Sequence, residues 1–143
     1  MNGADFIEFA GKLAANPSAS PAACRTAISR AYYGAFHSTL SFLQIVGLDA
    51  PRGHKLHFDF LESGQPEAFQ VGELLSELQS RRVQADYEMG NTRIETVVQA
   101  RLNAERAFKL LSLLRGLEQE PARSKVKAGI EAYRQRITGK SQS

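Results

Sequence analysis

The sequence predicts an all-α fold, an up-and-down bundle of four to six helices, and three observations carry that prediction. Apolar residues recur at three- and four-residue steps through most of the chain. The stretches with this period are separated by short breaks rich in Gly, Pro, Asn and Ser. No stretch alternates strictly between apolar and polar residues within turn boundaries, so no strand is assigned.

Residues 5–15 read as a first helix with Phe6, Phe9, Leu13 and Ala10 inward, broken by Asn16 and Pro17. The longest helical pattern follows, from Ser20 to Val46. Ser20 is suited to accept from a free backbone N–H, Pro21 fits the first helical position, and Gly47 fits the C-terminal cap. Its apolar face mixes Tyr32, Phe36 and Phe42 with Ala31, Gly34, Ala35 and Ser38, small residues that let another helix approach closely. A turn-rich connector, 47–53, leads to a short helix over 54–62 with Leu56, Phe60 and Leu61 inward. Pro66 opens a helix that runs to about Tyr87 on Phe69, Val71, Leu74, Leu75, Leu78 and Val83. After Met89-Gly90-Asn91, Thr92 and Glu95 are spaced as a capping box. The helix beyond it sets Val97, Val98, Leu102, Ala104, Phe108, Leu111, Leu114 and Leu117 on a wide stripe. Pro121 either ends that helix or starts a last one.

With 143 residues the chain is read as one bundle over 1–120 followed by a basic C-terminal helix or tail over 121–143. Residues 1–120 carry twelve Lys/Arg against fourteen Asp/Glu, whereas 121–143 carry six against one. Such a cluster either binds an anionic partner or is a solvated, partly frayed tail. Cys24 is the single cysteine, too few for an internal disulfide or a multi-cysteine metal site. No run reaches the length of a membrane span and the N-terminal residues lack a signal pattern, so a cytoplasmic protein without a membrane partner is expected. No Gly-rich phosphate loop, Ser-His-Asp order or zinc motif is present, and no cofactor is expected.

Two stretches stand out as motifs. The first is Ser29-Arg30-Ala31-Tyr32-Tyr33-Gly34-Ala35-Phe36-His37, and the second is Arg82-Val83-Gln84-Ala85-Asp86-Tyr87. Together, and in this order, they resemble the S-R-A-Y-Y-x-A-F-H and R-x-x-A-D-Y patterns of one branch of the HEPN superfamily, over about residues 5–117. The resemblance implies a helical bundle that pairs as a homodimer across its long helices. It also implies a link to RNA or nucleotides, often within a toxin–antitoxin system whose antitoxin is a nucleotidyltransferase. Active relatives cut RNA without metal, using an Arg followed after four to six residues by a His. Here the window after Arg82 holds Tyr87, Glu88 and Met89 and no His. Tyrosine, with an ordinary pKa of about 10, is a poor proton acceptor at neutral pH. The expectation is therefore a nucleotide- or RNA-associated binding module without RNase activity. The alternatives are a metal-independent RNase using Arg82 with another base, and an adaptor that docks a nucleotidyltransferase.

The candidate residues follow from these motifs. Arg82 and Asp86, four apart on a helix, pair with each other, and Arg82 with Arg81 offers guanidinium groups to a phosphate. Tyr87 is the second candidate for chemistry, and the resemblance marks it as a residue that an antitoxin transferase could modify. Arg30 and His37 share one face of the long helix and are further candidates for a nucleotide contact. Arg52 with His57 matches the Arg-to-His count but straddles a connector. His54 and His57 have metal-ligand spacing with only Asp59 and Glu62 to complete a set, and no metal site is assigned.

Overall fold

The structure, a computed structural model, describes residues 1–53 and 55–142, with side chains described as far as Gly139. It is an all-α bundle of six helices: α1 (Gly3–Ala15), α2 (Pro21–Ile45), α3 (Leu56–Leu61), α4 (Pro66–Tyr87), α5 (Val97–Leu117) and α6 (Ala122–Gln142). No helix among the described residues is long and apolar enough to cross a membrane.

Local chemistry sets most of the boundaries. Asn2 and Asp5 cap α1 reciprocally, Asn2 Oδ1 accepting from the Asp5 amide at 3.1 Å and Asp5 Oδ2 from the Asn2 amide at 2.9 Å. Ser20 Oγ accepts from the Ala23 amide at 3.1 Å with Pro21 next in line, and Gly47 leaves α2 at φ +84°. Gln65 Oε1 accepts from the Ala68 amide at the start of α4.

Helix α2 is the spine, packed against α1, α4 and α5. Its small residues admit α1 within the same chain. A Cβ added at Gly34 would lie 2.5 Å from Ile7 Cγ1 and 2.7 Å from the Gly3 carbonyl, so the two backbones touch. Phe42, Leu43, Ile7, Leu78, Leu110 and Leu117 fill the centre, and Phe42 meets Phe60 of α3 with ring centroids 5.8 Å apart. Helix α6 docks on α3 and α5 through Val126 and Ile130, both fully buried. The tail is thus helical and anchored.

Two expectations are corrected. The cap of α5 is Thr96, whose Oγ1 accepts from the Gln99 amide at 3.2 Å, and Thr92 lies in the turn before it. Ile94 is buried against Ile28 and Ala85, and Glu95 pairs with Arg25, so this segment is held in the connector rather than in a first helical turn. The inward faces of α1 and α5 are also rotated from the expected stripes. Ala100, Asn103, Ala104, Ala107, Leu110, Leu114 and Leu117 form the buried face of α5, so Ala104, Leu114 and Leu117 of the expected stripe are inward, while Phe9, Val98, Leu102 and Phe108 are exposed. Phe69 and Val83 of α4 are exposed as well. Alanines give the closest helix approach, and the larger side chains are displaced to the flanks.

Candidate nucleic-acid interface

The two motif stretches, about fifty residues apart, meet across the α2–α4 seam. Arg82 Nη2 donates to the Tyr33 hydroxyl at 2.7 Å. Its Nε is enclosed and lies 2.9 Å from Asp86 Oδ2, an ion pair without hydrogen-bond alignment. Ser29 Oγ donates weakly to the same Asp86 oxygen at 3.4 Å. Three rings surround the guanidinium: Tyr33 at 5.3 Å, Tyr87 at 5.5 Å and Tyr32 at 5.9 Å from ring centroid to the guanidinium carbon.

Rings continue from this cluster along α2 to α1. Tyr33 meets Tyr32 at 5.4 Å, Tyr32 meets Phe36 at 5.9 Å, Phe36 meets His37 at 5.4 Å, and His37 stacks on Phe6 at 6.2 Å. Arg30 covers the far ring, 5.7 Å above Phe6. The result is one band of rings with a guanidinium near each end. Its residues are partly open, and Arg30, His37 and Tyr87 are exposed. The helical period explains the band: Ser29, Tyr33, Phe36 and His37 recur at three- and four-residue steps along one side of α2, with Tyr32 and Phe36 at the margin of the core.

Arg81 does not join it. Its Nε donates to Glu77 Oε1 at 3.0 Å and its Nη1 to Gln84 Oε1 at 3.1 Å. Glu77 also pairs with Arg106 of α5, so neighbouring arginines on α4 face different partners. Arg52 is exposed on the α2–α3 connector, and His57 is buried on α3. His54 lies outside the described residues, so the His54–His57 spacing has no geometry to report. Among the described residues no group of three or more His, Cys, Asp or Glu side chains could hold a metal ion.

Beside the band, a pocket of about 330 Å³ opens between α2, α4 and the α2–α3 connector. Tyr32 and Phe36 form part of its wall, with Lys55, His57 and Gln79 as its polar members. His57 is nine-tenths buried. Burial first, and then the Lys55 charge, lower its pKa, which favours the neutral imidazole. Tyr32 is shifted upward, mainly by burial, partly offset by the Arg82 charge. It therefore keeps its proton at neutral pH. At Arg82 burial opposes the charge, but the Tyr33 hydrogen bond and the nearby Tyr33, Asp86 and Tyr87 groups outweigh it and raise the pKa.

Sequence reasoning missed the residue that holds this end of α4 in place. Arg25, buried on α2, pairs with Glu95 at 2.8 Å and donates to the carbonyls of Gln84, Ala85, Glu88, Met89 and Asn91. It caps the helix that carries Arg82, Asp86 and Tyr87. No local signal marks it, because every partner lies about sixty residues or more away. Comparison of the chain with protein-family models, curated proteins and solved structures finds no match.

Proposed function

We propose that this chain is a HEPN-like, nucleotide- or RNA-associated binding module of a toxin–antitoxin or defence-like system, without RNase activity of its own. The observation that supports it best is the band of partly open rings from Phe6 to Tyr87 with Arg30 and Arg82 near its ends. Unpaired bases stack on aromatic and guanidinium faces without regard to sequence, and each guanidinium fork suits a phosphate. Duplex grooves offer no such stacking, so the ligand is single-stranded RNA or a free nucleotide. In this reading the protein acts as a homodimer in the cytoplasm, with a nucleotidyltransferase as its protein partner. Tyr87, exposed beside Arg82, is then open to modification.

The test is a titration of the protein with single-stranded RNA at low and moderate salt, the same samples being run on a denaturing gel. Binding that weakens with salt, intact RNA, and weaker binding by Arg82→Ala are the expected results. One observation favours the enzymatic alternative: His57, held neutral, lines a pocket that shares Tyr32 with the Arg82 cluster. Cleavage lost in both Arg82→Ala and His57→Gln would establish that alternative. Neither binding nor cleavage would leave the adaptor that docks a nucleotidyltransferase.

A further inference from the structure

The pocket beside the ring band has a composition that selects among ligands. Its volume, about 330 Å³, is at the small end of the range of ligand pockets. Tyr32 and Phe36 belong both to its wall and to the band, so a group leaving the band's surface enters it directly. Two polar side chains in it lack partners. His57 is nine-tenths buried, and no described residue hydrogen-bonds its imidazole. Gln79, three residues before Arg82 on α4, likewise has no hydrogen-bond partner among the described residues. Gln79 is partly buried and the polar atoms of both side chains are open to the pocket, so both are available to pair with a ligand that enters it.

We infer that this pocket is a base subsite: it takes the aromatic base of a phosphorylated nucleoside, edge toward Gln79 and His57, with the phosphate on the Arg82 side of Tyr32. An aliphatic ligand offers Gln79 and His57 no hydrogen bond, and a sugar offers the rings only a C–H face rather than a flat π-face. A nucleobase satisfies both, since it has a π-face for Tyr32 and Phe36 and an edge of alternating donors and acceptors. The Gln79 carboxamide offers one acceptor and two donors in one plane, and a neutral imidazole offers one of each. The inference rests on the nucleotide-associated reading above. It holds equally for a free nucleotide and for an unstacked base within single-stranded RNA, because the recognised chemistry is the same.

Calorimetric titration of the full chain at low salt tests it, with inorganic phosphate, adenosine and uridine monophosphates and a short single-stranded RNA as probes. A monophosphate should bind at least about tenfold tighter than phosphate, and Gln79→Leu should remove about tenfold from that advantage without changing phosphate binding. Ala50→Trp, at an exposed connector position lining the pocket, should block the base in the same way without touching the core. If both variants weaken only the RNA, the subsite stands and a base within RNA is its occupant. If they weaken the free monophosphate too, a nucleotide suffices. Equal affinity for phosphate and monophosphates, with RNA binding that falls in Arg82→Ala but not in Gln79→Leu or Ala50→Trp, overturns the subsite and leaves the phosphate site intact. Monophosphate binding sensitive to Gln79→Leu but not to Arg82→Ala keeps the base subsite and removes Arg82. Binding of none of the probes overturns both.

Discussion

Arg25 and Arg82 both bridge α2 and α4, and their partners separate their roles. Arg25 is buried against five backbone carbonyls and Glu95, so truncating it leaves acceptors and a carboxylate without a donor. Arg25→Ala should destabilise the fold by about 3–5 kcal/mol, read by chemical denaturation. Arg25→Lys should recover only part of the loss, because one ammonium cannot span carbonyls on both sides of the α4 terminus. A loss under about 1 kcal/mol, the level of an exposed ion pair, would mean that Arg25 is not the cap described here. Arg82 lies in a more open cluster, its ion pair with Asp86 being about a quarter exposed. Arg82→Ala should therefore cost about 1 kcal/mol or less in stability while weakening RNA binding. His57 adds a pH term whose sign follows from its lowered pKa. The unfolded chain takes up this proton first as pH falls, near the ordinary value of about 6.5. The stability from neutral His57 is thus fully present above that value and is lost as pH falls through the lower folded value. Denaturation at pH 7.5 and pH 5 should show a larger fall for the wild type than for His57→Gln.

At the scale of the elements, guanidinium groups cap helices from a distance. Arg101 donates to the carbonyls of Ala14 and Ala15 at the end of α1, Arg123 to Ile45 at the end of α2, and Arg25 to the end of α4. In α6, Arg134 pairs with the fully buried Asp59 of α3 and donates to the Asp49 carbonyl. Arg123 and Arg134, two of the six cations that make the C-terminal segment basic, are thus engaged in anchoring it. Deleting 121–143 should accordingly unfold or loosen the bundle rather than merely remove charge, since it uncovers Val126 and Ile130 and takes the Arg134 guanidinium away from the buried Asp59. The expected loss exceeds about 3 kcal/mol, and melting of the truncated chain measures it. A truncated chain as stable as the full one would show α6 to be dispensable to the core. These contacts explain what was legible in the sequence. Helix starts at Asn2, Ser20 and Gln65 and breaks at Asn16-Pro17 and Gly47 are written in neighbouring residues, and apart from Asn2 and the Gln65 cap they were readable. The start of α5 was misread because Thr92 and Glu95 have the local spacing of a cap while Ile28 and Arg25, far away in sequence, decide their fate. The rotation of α5 was missed because hydrophobicity counts favour Val98, Leu102 and Phe108, whereas close packing selected alanines.

For the whole molecule the same distinction applies to the site. Arg82–Asp86 pairing was legible from helical spacing. The separation of Arg81 from Arg82, the joining of Arg30 and His37 to the same band through Phe6, and the pocket around His57 depend on how three helices and a connector pack. The band also makes a prediction that no single residue does. If RNA lies along it, phosphates are neutralised at both ends, and each releases counterions from a single strand. The logarithm of the binding constant should then fall with the logarithm of salt concentration by about 0.7 for each phosphate contacted. Arg30→Ala and Arg82→Ala should each flatten the slope by about that amount, and the double variant by about twice as much, because the two sites are independent. Phe6→Leu and Tyr33→Leu should instead lower affinity by a similar factor at every salt concentration, since stacking carries no counterion term. Neutralising the exposed Lys125 with Gln is the matching control on α6, a surface change that leaves the helix docked. A slope that responds to Lys125 but not to Arg30 or Arg82 would move the RNA from the α2 band to the C-terminal helix. The opposite pattern would fix its path across α1, α2 and α4.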